Sequence, residues 1–430
     1  MKPDRAAASL AALTSGGVLL FFGLTLSVPS GYSYGGALLL AAGLWFLAGR
    51  PRLSLTREDK LLAVLLGGIF VVSVATTLWH GNTADAVDGP SRFFLAIPVL
   101  FLLLHRPPRL QWLWAGVVVG SLSAAGLGLW QQLVRGTDRI HGHTNAIQFG
   151  DIAFVLMVMS LSGLFWAGTQ GRHARRWRLA LNAAALAGLY CVAASGTRGA
   201  WVALATVVPV FACALLSRAE MRRILVSVAV LVAALAVYCT LAPHSTLTQS
   251  YSRIVSDIQK YERGNVGTSV GARLEMWRAA GMSIAKRPLL GWGVDEYRAE
   301  RQRLAKAGEI DRYVLQFSHA HNSYLDIWVF QGVAGLLLLL ALHVVPFVAF
   351  CRRLRAPDLA VRAVALGGAS LVGAFFMFSM TQAVFKHNNG VMFFVIALVV
   401  FWACMRRAEC EAASLPPCAG RVAGSGGAGA

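Results

Sequence analysis

The chain has 430 residues, 57% of them hydrophobic and only 14% charged, with a mean hydropathy of +0.59. A soluble globular chain is nearer half apolar and a quarter charged, so a string of water-soluble domains is excluded as the main architecture. The formal net charge of +19 admits a nucleic acid or a membrane surface as partner. No segment resembles a nucleic-acid module, and in a membrane chain such charge is explained by loops that orient helices.

Apolar runs near the roughly 20 residues that a span needs recur from end to end. Lys2 and Arg5 precede the first run, which continues to Leu26 without a clean small-residue cleavage site. It reads as a span, not a signal peptide. The pattern predicts an all-α polytopic membrane protein with about twelve transmembrane helices, at 8–26, 35–48, 61–79, 93–104, 111–133, 150–168, 179–194, 199–216, 224–241, 323–350, 361–383 and 389–405.

Lys and Arg in short connections stay on the cytoplasmic side, and alternate connections are rich in them. One set holds Arg50, Arg52, Arg57 and Lys60, then Arg106 and Arg109, then Arg172, Arg175, Arg176 and Arg178. It continues with Arg218, Arg222 and Arg223, then Arg352, Arg353, Arg355 and Arg362, then Arg406 and Arg407. The intervening short connections hold only Arg92, Arg135, Arg139, Arg198 and Lys386. Both termini are therefore expected in the cytoplasm. The expected organisation is helices 1–9 over residues 1–241, one long periplasmic loop over 242–321, helices 10–12 over 322–405, and a disordered cytoplasmic tail over 406–430. The loop is partly helical in pattern. No internal repeat is evident, which speaks against an inverted-repeat transporter, and the seven cysteines lack metal-ligand spacing.

On the side that the charge rule leaves poor in cations, a few polar residues sit at span ends. Arg198, in the run Ser195-Gly196-Thr197-Arg198-Gly199, belongs to a hairpin so tight that its guanidinium must lie near membrane depth. Snorkelling explains many such arginines, but a fixed guanidinium there also suits bidentate phosphate binding. In the long loop a helical stretch from about Ala272 to Lys286 places Arg273 and Trp277 one turn apart, and Pro288 and Gly291-Trp292-Gly293 end it. Arg273 reads as a salt-bridge partner or a phosphate ligand, Trp277 and Trp292 as interfacial anchors.

The loop closes with Ser318-His319-Ala320-His321-Asn322-Ser323. Two histidines here meet a helix N-terminus that Asn322 can cap, and the positive end of that dipole disfavours imidazolium. A neutral imidazole is what a general base needs near pH 7. His319 and His321 qualify equally; as metal ligands they would need others, for which His141 and His143 are candidates. Arg139, His141, His143 and Asn145, and the last turn with Lys386 and His387, can line the same cavity. Asp151 and Asp326, the few acidic residues near span ends, show no partner within the spans, which counts against a transporter.

The run His321-Asn322, nine residues, Gly332, two residues, Gly335 resembles the histidine signature of O-antigen ligases, at the junction of long loop and span where that family has it. Ser195 to Trp201 resembles the family's arginine motif, with Val202 where leucine is usual. Arg273, Trp277 and the run Arg287 to Gly293 resemble a segment shared with the wider ligase and polymerase superfamily. The likeness spans about Arg139 to Gly335. The resemblance implies a GT-C-related fold and an inverting, metal-independent transfer without cofactor. A completed glycan would move from undecaprenyl pyrophosphate to lipid A-core at the periplasmic face of the inner membrane. Carried over, His321 takes the acceptor proton and Arg198 and Arg273 bind the pyrophosphate, with Arg139, His319, Asn322, Trp277 and Lys386 as further substrate contacts. The O-antigen polymerase and the protein-O-glycosylating transferase are the nearest alternatives; polymerases tend to carry two long loops, and here only one is long.

Overall fold

The structure, a computed structural model, describes residues 5–215, 217–241 and 250–413. Among them are fifteen α-helices and no strand. The first nine are α1 (Arg5–Leu24), α2 (Gly31–Ala48), α3 (Arg57–Trp79), α4 (Asp85–His105), α5 (Leu110–Leu133), α6 (Ala146–Ala167), α7 (Ala174–Ser195), α8 (Gly199–Ala214) and α9 (Arg218–Leu241). Three follow from the long loop, α10 (Ser250–Glu262), α11 (Ser269–Lys286) and α12 (Gly293–Lys306); α13 (Ser323–Cys351), α14 (Leu359–Thr381) and α15 (Asn388–Ala412) complete the bundle.

Ten helices are long and apolar enough to cross a membrane, and α1 and α8 add shorter apolar stretches. These twelve coincide with the twelve predicted spans, so the chain is an all-α polytopic membrane protein. Helix ends differ from the apolar runs. The fourth helix begins at Asp85 rather than 93, because Asp85 and Asp88 in its first turn are polar yet favourable beside the N-terminal dipole. At the other extreme α15 continues through Arg406 and Arg407 to Ala412, so the segment after residue 405 starts as helix. The tail's Gly-Ser-Gly-Gly-Ala-Gly-Ala end lies outside the described residues.

Burial sorts the helices into centre and rim. The most apolar stretch of α6 is wholly buried and that of α14 is 83% buried, whereas only 17% of that of α9 is. Helix α6 packs on α7 and α14, and α14 also packs on α8 and α13. A second, smaller core joins the loop helices: Met276 and Ala280 of α11, Tyr297 and Leu304 of α12, with Val314, Ala320 and Val329. The loop region is therefore a packed helical cap carrying its own apolar centre.

One contact fixes the cap to the bundle. Helix α13 breaks at Gly332 (φ 67°, ψ −165°), and the turn after α11 fits into the break. Val333 donates to Pro288 O at 3.0 Å and Trp292 donates to Val329 O at 2.7 Å. A Cβ on Gly332 would lie 2.0 Å from Leu289 O, and one on Gly291 would lie 2.7 Å from Gly332 N. Two backbones approach here at a distance only glycine permits.

Candidate active site

The site lies at the end of the bundle that carries the cap. Its first part is the turn between α7 and α8. Gly196 (φ 60°) ends α7, and Arg198 sits immediately before α8. Thr197 Oγ1 donates to Asp151 Oδ1 at 3.0 Å, tying the turn to the buried first turns of α6. A Cβ at Gly150 would fall 2.3 Å from Ser195 Oγ, so a side chain there would push the turn away. Arg139 reaches the same place from the α5–α6 connection and donates through Nε to Ser195 O.

From the cap, α11 brings Arg273 to this turn. Burial lowers Arg139 and Arg273 from the usual arginine range, and the charge of Arg198 lowers both further; Asp151 opposes this at Arg273. Three guanidiniums are thus close enough to feel one another, and Asp151 acts on Arg273 alone among them. Among the described residues neither Arg198 nor Arg273 makes a side-chain hydrogen bond or ion pair. Among the described residues Arg273 has no carboxylate within ion-pair distance, and Asp151 acts on it through its charge alone. Asp151 Oδ2 is likewise buried without a hydrogen-bond partner.

The second part is the irregular segment 317–322 leading into α13. Trp277 Nε1 donates to Ala320 O at 2.9 Å, and Arg301 of α12 donates to Phe317 O. From α13, Asp326 Oδ1 accepts from Ala320 N at 2.8 Å, and Asn322 caps the helix by accepting from Tyr324 N at 3.0 Å and Leu325 N at 3.2 Å. The end of α14 closes the frame: Ser323 Oγ donates to Gln382 O at 2.9 Å and accepts from Val384 N at 3.1 Å. Held this way, His321 adopts φ 50°. A non-glycine residue there carries about 1–3 kcal/mol of strain, which the surrounding bonds must sustain.

The two imidazole rings lie 4.3 Å apart between centroids. His319 Nδ1 is 2.9 Å from Ser318 Oγ, and its Nε2 is buried without a partner. His321 Nδ1 is 3.4 Å from Gln382 Oε1. Burial is the main cause that pushes His319 down to about 3, with the neighbouring His321, Lys386, His387 and Arg301 adding to it. Burial also lowers His321, aided by the charge of Arg273 and by His387 and opposed by Gln382. Arg273 is therefore the link between the guanidinium cluster and the histidines. Both imidazoles are neutral near pH 7.

The expected residues divide into three sets. Arg139, Arg198, Arg273, His319 and His321 come together. Trp277 and Asn322 spend their polar atoms on the backbone of the histidine segment, and Trp292 Nε1 donates inward to Ser283 O at 2.8 Å. Trp277 and Trp292, expected as interfacial anchors, are instead struts of the cap. Lys386, in a 3-10 turn before α15, is lowered by burial and lies 4.7 Å from the Phe330 ring centre. His141 and His143 are exposed, and Asn145 caps α6. Among the described residues no three His, Cys, Asp or Glu side chains gather to share a metal ion, so His141 and His143 do not complete a set with the pair. Sequence reasoning gave no role to Gln382 and Arg301 and left Asp151 and Asp326 without partners. The only signal was a carboxylate in the first turns of two apolar helices.

Residues 183–340 match the family model described as O-antigen ligase. The match runs from α7 into α13 and contains Arg198, Arg273, both histidines and the Gly332 break. A Haemophilus influenzae protein, itself described only as uncharacterised, is 28% identical over 388 residues, 89% of this chain and 96% of that one. Over residues 183–340, then, the chain is similar to the O-antigen ligase family.

Proposed function

We propose that the chain is an O-antigen ligase, an inverting glycosyltransferase that moves O-antigen polysaccharide from undecaprenyl pyrophosphate to lipid A-core at the periplasmic face of the inner membrane. One observation carries the reading: unpaired Arg273 lies near both unpaired Arg198 and a neutral His321 on a strained, firmly held segment.

Guanidiniums that lack a protein partner suit a diphosphate, which they bind in bidentate fashion. Arg198 and Arg273 hold the pyrophosphate of the donor, and Arg139 adds charge from behind the turn. His321 accepts the proton of the acceptor hydroxyl as its oxygen attacks the anomeric carbon. The new glycosidic C–O bond forms while the bond from that carbon to the phosphate oxygen breaks, and the undecaprenyl pyrophosphate leaves with the electron pair. Negative charge grows on the leaving oxygen, where preorganised cations help most. General-base help is worth roughly 10²–10⁴-fold. Lowered basicity keeps His321 unprotonated and available. Gln382 at its Nδ1 orients the ring so that Nε2 faces the hydroxyl.

The test is His321→Ala in cells lacking the native protein. The expected result is loss of polysaccharide-capped lipid A-core while long polymer builds up on undecaprenyl pyrophosphate. Accumulation of single lipid-linked repeats would instead identify a polymerase, and unaltered capping would remove His321 from the chemistry.

A further inference from the structure

A cavity of about 570 Å³ is bounded by α3, α4, α12, α13 and the 383–388 turn, and none of Arg139, Arg198 and Arg273 lines it. Carboxylates outnumber cations on its wall: Asp85, Asp88, Asp295 and Asp326 line it, against Arg298 and Lys386, with Asp88 paired to Arg92 and Asp295 to Arg298. Asp326 is 4% exposed and its Oδ2 is buried without a hydrogen-bond partner, while its Oδ1 holds the histidine segment through Ala320 N. A buried carboxylate oxygen without a donor costs free energy until a donor arrives. Asn82, Thr76 and Ser73 add neutral polar groups to the wall, and Phe93 and Phe330 add aromatic rings.

That combination rejects phosphate and accepts hydroxyls. Carboxylates only accept hydrogen bonds, so they select ligands rich in O–H or N–H. Aromatic walls give the apolar face of a sugar ring a surface to lie against, and a pocket of this size holds a few rings. The cavity shares Ser323 and Lys386 with the surroundings of the histidines.

We propose that this cavity is the subsite for a neutral, hydroxyl-rich glycan, the end of the acceptor that receives the polysaccharide; this rests on the transferase reading above. The division follows charge: the diphosphate donor goes to the guanidiniums, and the phosphate-free acceptor sugars go to the carboxylates. Asp326 serves both the occupant and the histidine segment, so acceptor binding and histidine position are linked through one side chain.

Two cavity-filling variants test it. A Cβ at Gly89 meets only Phe385 O at 3.6 Å, so Gly89→Trp can enter the cavity without backbone strain. Thr83→Trp, from an exposed position on the rim, guards against misfolding of the first. Binding of a phosphate-free core oligosaccharide and of inorganic pyrophosphate to the full chain is measured for all three proteins. Oligosaccharide affinity is expected to fall at least tenfold in both variants, on the order of 1.4 kcal/mol, with pyrophosphate affinity within twofold of wild type. Equal oligosaccharide affinity in the three proteins, no oligosaccharide binding at all, or loss of pyrophosphate binding in its place overturns the subsite. Turnover separates the two claims. Binding as expected without any transfer from a lipid pyrophosphate removes the reaction and leaves the subsite. Transfer in which the variants raise the donor KM and spare the acceptor KM removes the subsite and leaves the reaction.

Discussion

Two arginine clusters, one at each end of the helical bundle, are treated in opposite ways. At the end away from the cap, Arg353 reaches Glu58 at 2.8 Å and Glu409 at 2.7 Å, Arg362 reaches Glu220 at 2.6 Å, and Arg406 lies 3.7 Å from Asp59. There the guanidiniums tie α3, α9, α13, α14 and α15 together. At the cap end Arg198 and Arg273 sit near each other with Asp151 as the nearest opposing charge, and neither is paired. Partly buried like charges that nothing neutralises weaken a fold. Arginines that stabilise are found with carboxylates, and arginines kept apart from them are available to a ligand.

The sharpest way to break this contrast is to remove the charge at each end. Arg198→Ala and Arg273→Ala are expected to lower the rate of glycan transfer by about 10²–10³-fold, the usual loss for one electrostatic contact to developing charge, with thermal stability unchanged or slightly raised. Lysine at either position restores only part, because an ammonium cannot fork around a diphosphate. A fall in melting temperature matching the fall in activity would make these arginines structural.

Arg353→Ala is expected to do the reverse. It removes the close partner of Glu58 and one of the two arginines on Glu409, and should cost about 1–3 kcal/mol of stability, in the range of lost charged hydrogen bonds, read as a lower unfolding temperature of the purified protein. The turnover of the folded fraction should stay within about twofold of wild type, since nothing at that end touches the site. A selective loss of turnover would show that the ends are coupled.

The smallest effect concerns pH. His321 must be neutral to take a proton, and its pKa lies below the ordinary histidine value, so activity should persist below pH 6.5 and fall only in more acidic buffer. Part of that lowering comes from Arg273. Arg273→Gln should therefore move the acid limb of the residual activity upward, toward the ordinary value. An unmoved limb would separate the guanidinium from the histidine. Stability follows the same sign: a histidine with a lowered folded pKa binds protons more readily when unfolded, so His319, at about 3, makes the fold lose stability as pH falls below 6.5.

Much of the bundle was legible because lipid leaves few choices. Backbone groups in hydrocarbon must bond internally, so each apolar run of spanning length became a helix, the short α8 with Pro209 included. The cap was legible only in part. The expected helix from Ala272 to Lys286 exists as α11, but α10 and α12 were missed, since amphipathic helices of thirteen and fourteen residues in a charged loop lack that compulsion. Their apolar faces have meaning only once α10 packs on α11 and α12 on α13.

Sequence alone determined the spans, the cap's place in the chain, and the arginines and histidines gathered at span ends, because membrane energetics and local turn chemistry act on neighbouring residues. Tertiary structure decided which charges are paired and which wait. Arg353 finds Glu58 across 295 positions, and Arg273 is brought to Arg198 only by the seating of α11 over the bundle. Asp326 became a strut and a cavity wall by the same route, facing Ala320 on one side and α3 and α4 on the other. Pairing is a property of space, and no local pattern of residues records it.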